Sequence, residues 1–231
     1  MSQWFTQTFP NVVYQGWTGD TGCLTAITQT LFMTFWSALF GGLLGLIFGI
    51  GLVITAPNGI APNRALFWLF DKVVSIFRAV PFIILLAAIA PFTKLIVGTQ
   101  IGTTAALVPL SLGVFPFYAR QVQVALAEVD GGIVEAAQAV GASFWDIVFG
   151  VYLREGRSEI IRVSTVTLIS LIGLTAMAGA IGAGGLGNMA ISYGYNRFAS
   201  DTTWVATILV LIFVLIVQLV GDFLAKKLSH K

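Results

Sequence analysis

Charge is scarce in this chain: of 231 residues only 10% are Asp, Glu, Lys or Arg, while 57% are hydrophobic. Soft and imidazole ligands are scarcer still, with one cysteine, Cys23, and one histidine, His230. A lone thiol closes no internal disulfide and makes no thiolate cluster. One histidine supplies neither a zinc site, nor a bis-histidine haem, nor a Ser/His or Cys/His pair within a membrane. No catalytic residue, metal site or cofactor is therefore expected. The net charge of +2 is too small to suggest nucleic acid. No carboxylate falls deep in an apolar run, which removes the relays that proton- or sodium-coupled carriers use. No phosphate loop is present either, so energy must enter from a partner.

What the chain does have is long apolar runs. A bilayer core about 30 Å thick needs roughly 20 mostly apolar residues per helix, and in lipid a helix satisfies its own backbone. The short alternating segments of a membrane barrel do not occur. The pattern predicts an all-α membrane protein with five spans: Leu24–Ala56, stopped by Pro57-Asn58-Gly59; Val73–Pro91, entered through Arg64, Asp71 and Lys72; Thr99–Ala119; from after Arg162 to Ala183; and Thr202–Gly221, before Lys226 and Lys227. The first run is too long, and lacks the positive flank, to be a cleaved signal peptide. If the N-terminus is outside, the inner segments hold Arg64, Arg120, Arg154, Arg157, Arg162, Lys226, Lys227 and Lys231, against Lys94 and Arg197 outside. The positive-inside rule thus puts the N-terminus outside, and the C-terminus and the loop between spans three and four in the cytoplasm. No linker divides the chain, so residues 1–231 form one domain, and five spans argue against an internal inverted repeat.

The loop carries the stretch EAAQAVGASFWDIVFGVYL, Glu135 to Leu153. Read as a helix, it places Ile133, Ala137, Val140, Phe144, Ile147, Val148 and Val151 on one apolar stripe. Gly141 is suited to stopping a first short helix, and Ser143 to capping a second, with Asp146 as its capping-box partner. The resulting knuckle either lies in the headgroup layer or docks a protein. Its acidic face, Glu135 and Asp146, suits an anionic lipid surface poorly and a protein partner better.

Glu135-Ala136-Ala137, then Gly141, then Val151-Tyr152-Leu153 resembles the "EAA" loop of ABC importer permeases, whose pattern is EAA, three residues, G, nine residues, then I-x-L-P. The spacing matches throughout, but Arg154 stands where the family has proline, and Ser158 follows in place of a second proline. Further segments resemble the methionine-uptake permeases in the same order: Arg78-Ala79-Val80-Pro81-Phe82-Ile83-Ile84-Leu85-Leu86, Pro91-Phe92-Thr93-Lys94, Pro116-Phe117-Tyr118-Ala119-Arg120, the glycine run from Gly179 to Gly187, and Gly221-Asp222. The resemblance implies a homodimeric permease of the bacterial cytoplasmic membrane. It also implies two copies of an ATPase subunit, a substrate-binding lipoprotein on the outer face, and methionine or a similar small amino acid as cargo. Glu135, Ala136, Ala137, Gly141, Ser143 and Leu153 would then form the coupling helices that meet the ATPase. Rival readings are the same machine with another amino acid or a dipeptide, and a scaffold subunit that transports nothing.

Gly182, Gly184 and Gly187 spell G-x-G-x-x-G, but they follow a membrane helix rather than a strand, so the dinucleotide reading fails. They and the stripe Gly41, Gly45 and Gly49 read as helix-packing glycines. Arg78, close to or within span two, is expected to snorkel or to pair with an acid such as Asp71. If the two copies of span four meet at the dimer axis, as the resemblance implies, Met177 either narrows the pathway or is packed or lipid-facing. The hydroxyls of Ser164, Thr165, Thr167, Ser170 and Thr175 either line a polar path or bond back to their own helix. Met177, Ser170 and Thr175 are the pathway candidates.

Overall fold

The computed structural model describes residues 3–228, so His230 and Lys231 of the basic tail lie outside the described residues. Every regular element among the described residues is helical. Two short helices, α1 (Gln3–Thr8) and α2 (Pro10–Gln15), precede the 33-residue α3 (Cys23–Thr55). Then come α4 (Arg64–Ala79), α5 (Phe82–Val97) and α6 (Thr103–Ala127). A knuckle of α7 (Gly131–Ala139), α8 (Phe144–Asp146) and α9 (Leu153–Glu155) leads into α10 (Arg157–Ala178). The four-residue α11 (Gly185–Asn188) and the 29-residue α12 (Ser200–Leu228) complete the chain. Among the described residues, α3, α12 and α10 with its tail to Ala183 are each long and apolar enough to cross a bilayer, and α4 with α5 qualifies as a bent pair.

Helix α6 sits at the centre. It is less apolar than α3 or α12, carrying Pro109, Pro116 and Arg120, because its neighbours rather than lipid surround it: Leu110, Val114, Ala119 and Val122 are fully buried. Helix α3 lies along it through Gly41, Gly45 and Gly49. A Cβ on Gly41 would run into the Val114 side chain, on Gly45 it would stand 2.8 Å from the Phe115 carbonyl oxygen, and on Gly49 2.6 Å from Val122 Cβ. Small residues let two backbones approach closely where lipid supplies no hydrophobic drive. Phe48 of α3, Phe70 and Phe77 of α4 and Phe115 of α6 then interlock edge to face, with centroids 5.3–5.6 Å apart.

The run expected as one span, Val73–Pro91, is broken: α4 and α5 meet at 107° across Val80–Pro81. Proline disfavours the helical region for the residue before it, and Val80 is extended at φ −81°, ψ 120°. The third expected span, α6, starts at Thr103 rather than Thr99, because Gly98 and Gly102 both take positive φ. It runs two turns past Ala119, since Arg120 is satisfied within the protein by Asp71 at 2.7 Å and Gln123 at 2.7 Å. Helix α10 begins at Arg157, before Arg162. There Arg157 Nε donates to the Leu228 carbonyl at 3.2 Å and Ser158 Oγ to that of Ala225 at 3.1 Å, so the charged turn occupies carbonyls that the last turn of α12 leaves open. At the other end of α12, Asp201 accepts from the Asn11 amide N–H at 2.9 Å and side chain at 2.8 Å, which ties α2 to α12.

Candidate functional site

Asp130 caps α7 by accepting from Gly132 N–H at 2.8 Å. The helix ends at Gly141, whose φ of +79° any L side chain would resist. Ser143 then caps α8 in a complete capping box: its hydroxyl meets Asp146 Oδ2 at 2.6 Å, its amide donates to the same oxygen at 3.1 Å, and the Asp146 amide returns a bond to Ser143 Oγ at 3.3 Å. The Ser143 hydroxyl and amide together hold the Asp146 carboxyl below its ordinary pKa. Beyond Asp146 the chain continues as a π-helical segment, Ile147–Tyr152, through α9 to Gly156. No proline turns it. Gly156 donates to the Tyr152 carbonyl at 2.9 Å, and its missing Cβ leaves room for Leu126, whose Cδ2 would stand 2.8 Å away.

Val134, Ile147 and Tyr152 anchor this knuckle, packing with Val53, Tyr118, Val122 and Leu126, and Val148 is buried as well. The single apolar stripe expected from the sequence is therefore split. Of its members Ile147 and Val148 are buried and Ala137 and Val151 half-buried, but Ile133, Val140 and Phe144 are exposed. The left-handed turn at Gly141 resets the helical phase, so residues on one line of a continuous helix land on different sides. Val140 is bare (84% exposed), and Phe144, Trp145 (63%) and Phe149 (61%) form an exposed aromatic crest. Trp145 stacks on Phe149 with centroids 5.7 Å apart, and Phe144 meets Trp145 edge-on at 5.1 Å. Sequence reasoning missed Trp145 and Phe149, although two aromatics four residues apart on a short helix signal a shared face. Glu135, Ala136 and Ser143 are exposed and Leu153 is half-buried. Glu135 and Gln138 also line a cavity of about 460 Å³ with Asn58, Gln123 and Tyr152.

On α10, Val166, Ser170, Gly173 and Met177 are exposed along one face. Thr175 is not among them: it is 2% exposed and donates back to the Ile172 carbonyl at 2.7 Å. Ser164, Thr165 and Thr167 also donate to carbonyls of their own helix at 2.6–2.8 Å, and Ser164 meets the Tyr118 hydroxyl at 2.7 Å. The helix then breaks, with Gly182 and Gly184 at φ +100° and +86°. Gln29 and Thr30 of α3 accept from the freed amides of Gly185 at 2.7 Å and Leu186 at 2.8 Å. A Cβ on Gly187 would collide with the Ala176 backbone. No Arg78–Asp71 pair forms, because Asp71 is held by Arg120. Arg78 is exposed at the end of α4 and shares a cavity of about 270 Å³ with Ser170. Among the described residues, no three His, Cys, Asp or Glu side chains are placed to hold a metal ion.

The model of binding-protein-dependent transport system inner membrane components matches residues 41–230. The probable D-methionine transport system permease protein MetI of Haemophilus influenzae is 45% identical over 207 residues, covering 90% of this chain and 97% of its own. The methionine import system permease protein MetP of Bacillus subtilis is 44% identical over 180 residues, covering 78% of this chain and 81% of its own. Among solved structures, the MetNI methionine ABC transporter in an inward-facing conformation matches with a TM-score of 0.86 and 39% identity, covering all of both chains.

Proposed function

Because the chain belongs to the family of binding-protein-dependent transport system inner membrane components, we propose that it is the permease of an ATP-driven importer that carries methionine into the cytoplasm. It is a multi-pass protein of the bacterial cytoplasmic membrane. It works as a homodimer with two copies of a separate ATPase subunit and receives cargo from a substrate-binding lipoprotein. The observation that carries this reading is the end-to-end match, at 39% identity, to a methionine ABC transporter chain. Hydrolysis of ATP belongs to the partner.

Residues 1–231 act as one permease domain. Five crossings, α3, the broken α4–α5 pair, α6, α10 and α12, put the N-terminus outside and the C-terminus in the cytoplasm. The basic residues at the ends of α4, α6, α10 and α12 support that sense. The knuckle then faces the cytoplasm, where its bare aromatic crest gives the ATPase an apolar surface to seat. Glu135, Ala136, Ala137, Gly141, Ser143 and Leu153 form this coupling unit. Ile147 and Tyr152, packed against α6, pass its displacement to the spans that must alternate between outward- and inward-open states. Met177 and Ser170 stand on the pathway face of α10. Thr175 tightens that helix behind them, and the glycines at 41, 45, 49, 182, 184 and 187 set helix packing.

Labelled methionine taken up by vesicles holding the chain, its ATPase and its binding protein tests the reading. Saturable, ATP-dependent uptake competed by unlabelled methionine is expected. ATP-dependent uptake of another amino acid or a dipeptide instead would keep the permease and discard methionine. A stable complex without uptake of anything would leave a scaffold.

A further inference from the structure

Arg78 closes α4 two residues before the Val80–Pro81 bend, and the cavity it lines is completed by Phe82, Gly113, Phe117, Ser170 and Leu174. At about 1.5 Å per residue, Ser170 lies roughly 20 Å into α10, and Phe117 roughly 20 Å from the start of α6 and 15 Å from its end. The arginine thus sits near the middle of the membrane-crossing region, where a charge is retained for a reason. Its charge has no internal answer. Among the described residues Asp71 pairs with Arg120 at 2.7 Å, and every other carboxylate of the chain stands in a loop or within two turns of a helix end. A second copy brings the same set, so dimerisation supplies no carboxylate at this depth. The Ser170 hydroxyl is exposed beside it, and the remaining wall is aromatic and aliphatic. About 270 Å³ falls just below the roughly 300–1,000 Å³ of sites for drug-sized ligands, a size that suits a smaller molecule such as an amino acid.

We propose that Arg78 recognises the carboxylate of the amino acid in transit, with Ser170 as a second donor and Phe82, Phe117 and Leu174 as the wall for the apolar side chain. A guanidinium binds a carboxylate through two parallel N–H donors, a geometry an ammonium lacks. Cargo leaving the binding protein thereby meets one cation at mid-depth, the single charged group of this cavity. The inference rests on the importer reading above and names the group on the permease that reads the cargo's charged end.

The test uses the complete complex in proteoliposomes with labelled methionine. Methionine moved per ATP hydrolysed should fall at least tenfold in R78Q and recover in part in R78K. R78C should be rescued by aminoethyl methanethiosulfonate, which restores a cation, and not by neutral methyl methanethiosulfonate. Wild-type protein treated in parallel controls for Cys23, which is buried. A residue that merely fills space would respond to both reagents alike. A second measurement needs no variant: methionine bound to the wild-type permease–ATPase complex should be displaced by excess methionine and not by methioninol, in which hydroxymethyl replaces the carboxylate. Equal displacement by both, no displaceable binding, or an R78Q complex with the wild-type transport ratio overturns the Arg78 assignment and leaves the importer standing. Wild-type complex that carries a different amino acid overturns methionine instead, and the same arms are then read with that cargo.

Discussion

Gly41, Gly45 and Gly49 on α3 lie so close to α6 that a Cβ on any of them would collide with it, whereas Gly173 on α10 has nothing within 4 Å. Both sets sit on long apolar helices and look alike as sequence. The first is a seam closed by this chain's own atoms, and a missing side chain there is what lets the backbones meet. The second belongs to a face, with Ser170 and Met177, that is left exposed among the described residues. The knuckle repeats the contrast at smaller scale, with Ile147 and Tyr152 sunk against α6 and Trp145 and Phe149 left bare. Permanence is built where the protein fills its own space, and exchange of partner or cargo where it leaves space to others.

Breaking the seam should have the largest effect. In Gly45→Leu, backbone and the Tyr118 ring occupy the space the side chain needs, and overpacking costs about 1–3 kcal/mol or more where nothing can yield. We expect little folded, extractable protein in the membrane. Gly42→Leu, three residues before it and facing open space, should accumulate normally. Equal recovery of the two variants would dissolve the distinction between the faces.

Two further changes sharpen the open side. Gly141→Val forces a β-branched residue into a left-handed conformation at a cost of about 1–2 kcal/mol, in a loop where space is free. The protein should insert normally while ATP-dependent uptake drops about tenfold; uptake at the wild-type rate would mean that the turn geometry does not couple. Trp145→Ala removes the centre of the exposed crest. Loss of an aromatic anchor should weaken capture of the ATPase by detergent-solubilised permease about tenfold, or about 1.4 kcal/mol. Undiminished capture would assign the crest to lipid.

The same contrast decides what the sequence disclosed. Patterns held within a few residues were readable: the apolar runs of α3 and α12, the stop at Pro57-Asn58-Gly59, and the Ser143–Asp146 box. Properties that join distant segments were not. Asp71 meets Arg120 rather than Arg78, and the break after Gly182 is satisfied by Gln29 and Thr30, 156 residues away along the chain. Val80–Pro81 lay inside a run that is apolar on average despite Arg78, and averaged hydropathy carries no direction. The local rule for the residue before proline was the signal available. The apolar stripe of the knuckle failed for a related reason, since periodicity assumes one helical phase and Gly141 resets it.

The smallest effect belongs to the capping box. Asp146 accepts from the Ser143 hydroxyl and amide, which lowers its folded pKa, so its contribution is present above the unfolded value and is lost as pH falls through the folded one. The start of α8 should therefore loosen in acid and be indifferent to alkali. Amide exchange at residues 144–147 should quicken below the ordinary carboxylate range, and Asp146→Asn should show that faster exchange already at neutral pH. The carboxylate is fully exposed, so exchange rather than global stability is the quantity that reports it. Exchange that stays slow in acid while Asp146→Asn speeds it would mean that geometry, not charge, holds the cap. The crest would then be oriented by the packing of Ile147 and Tyr152 on α6, the closed region setting the direction of the open one.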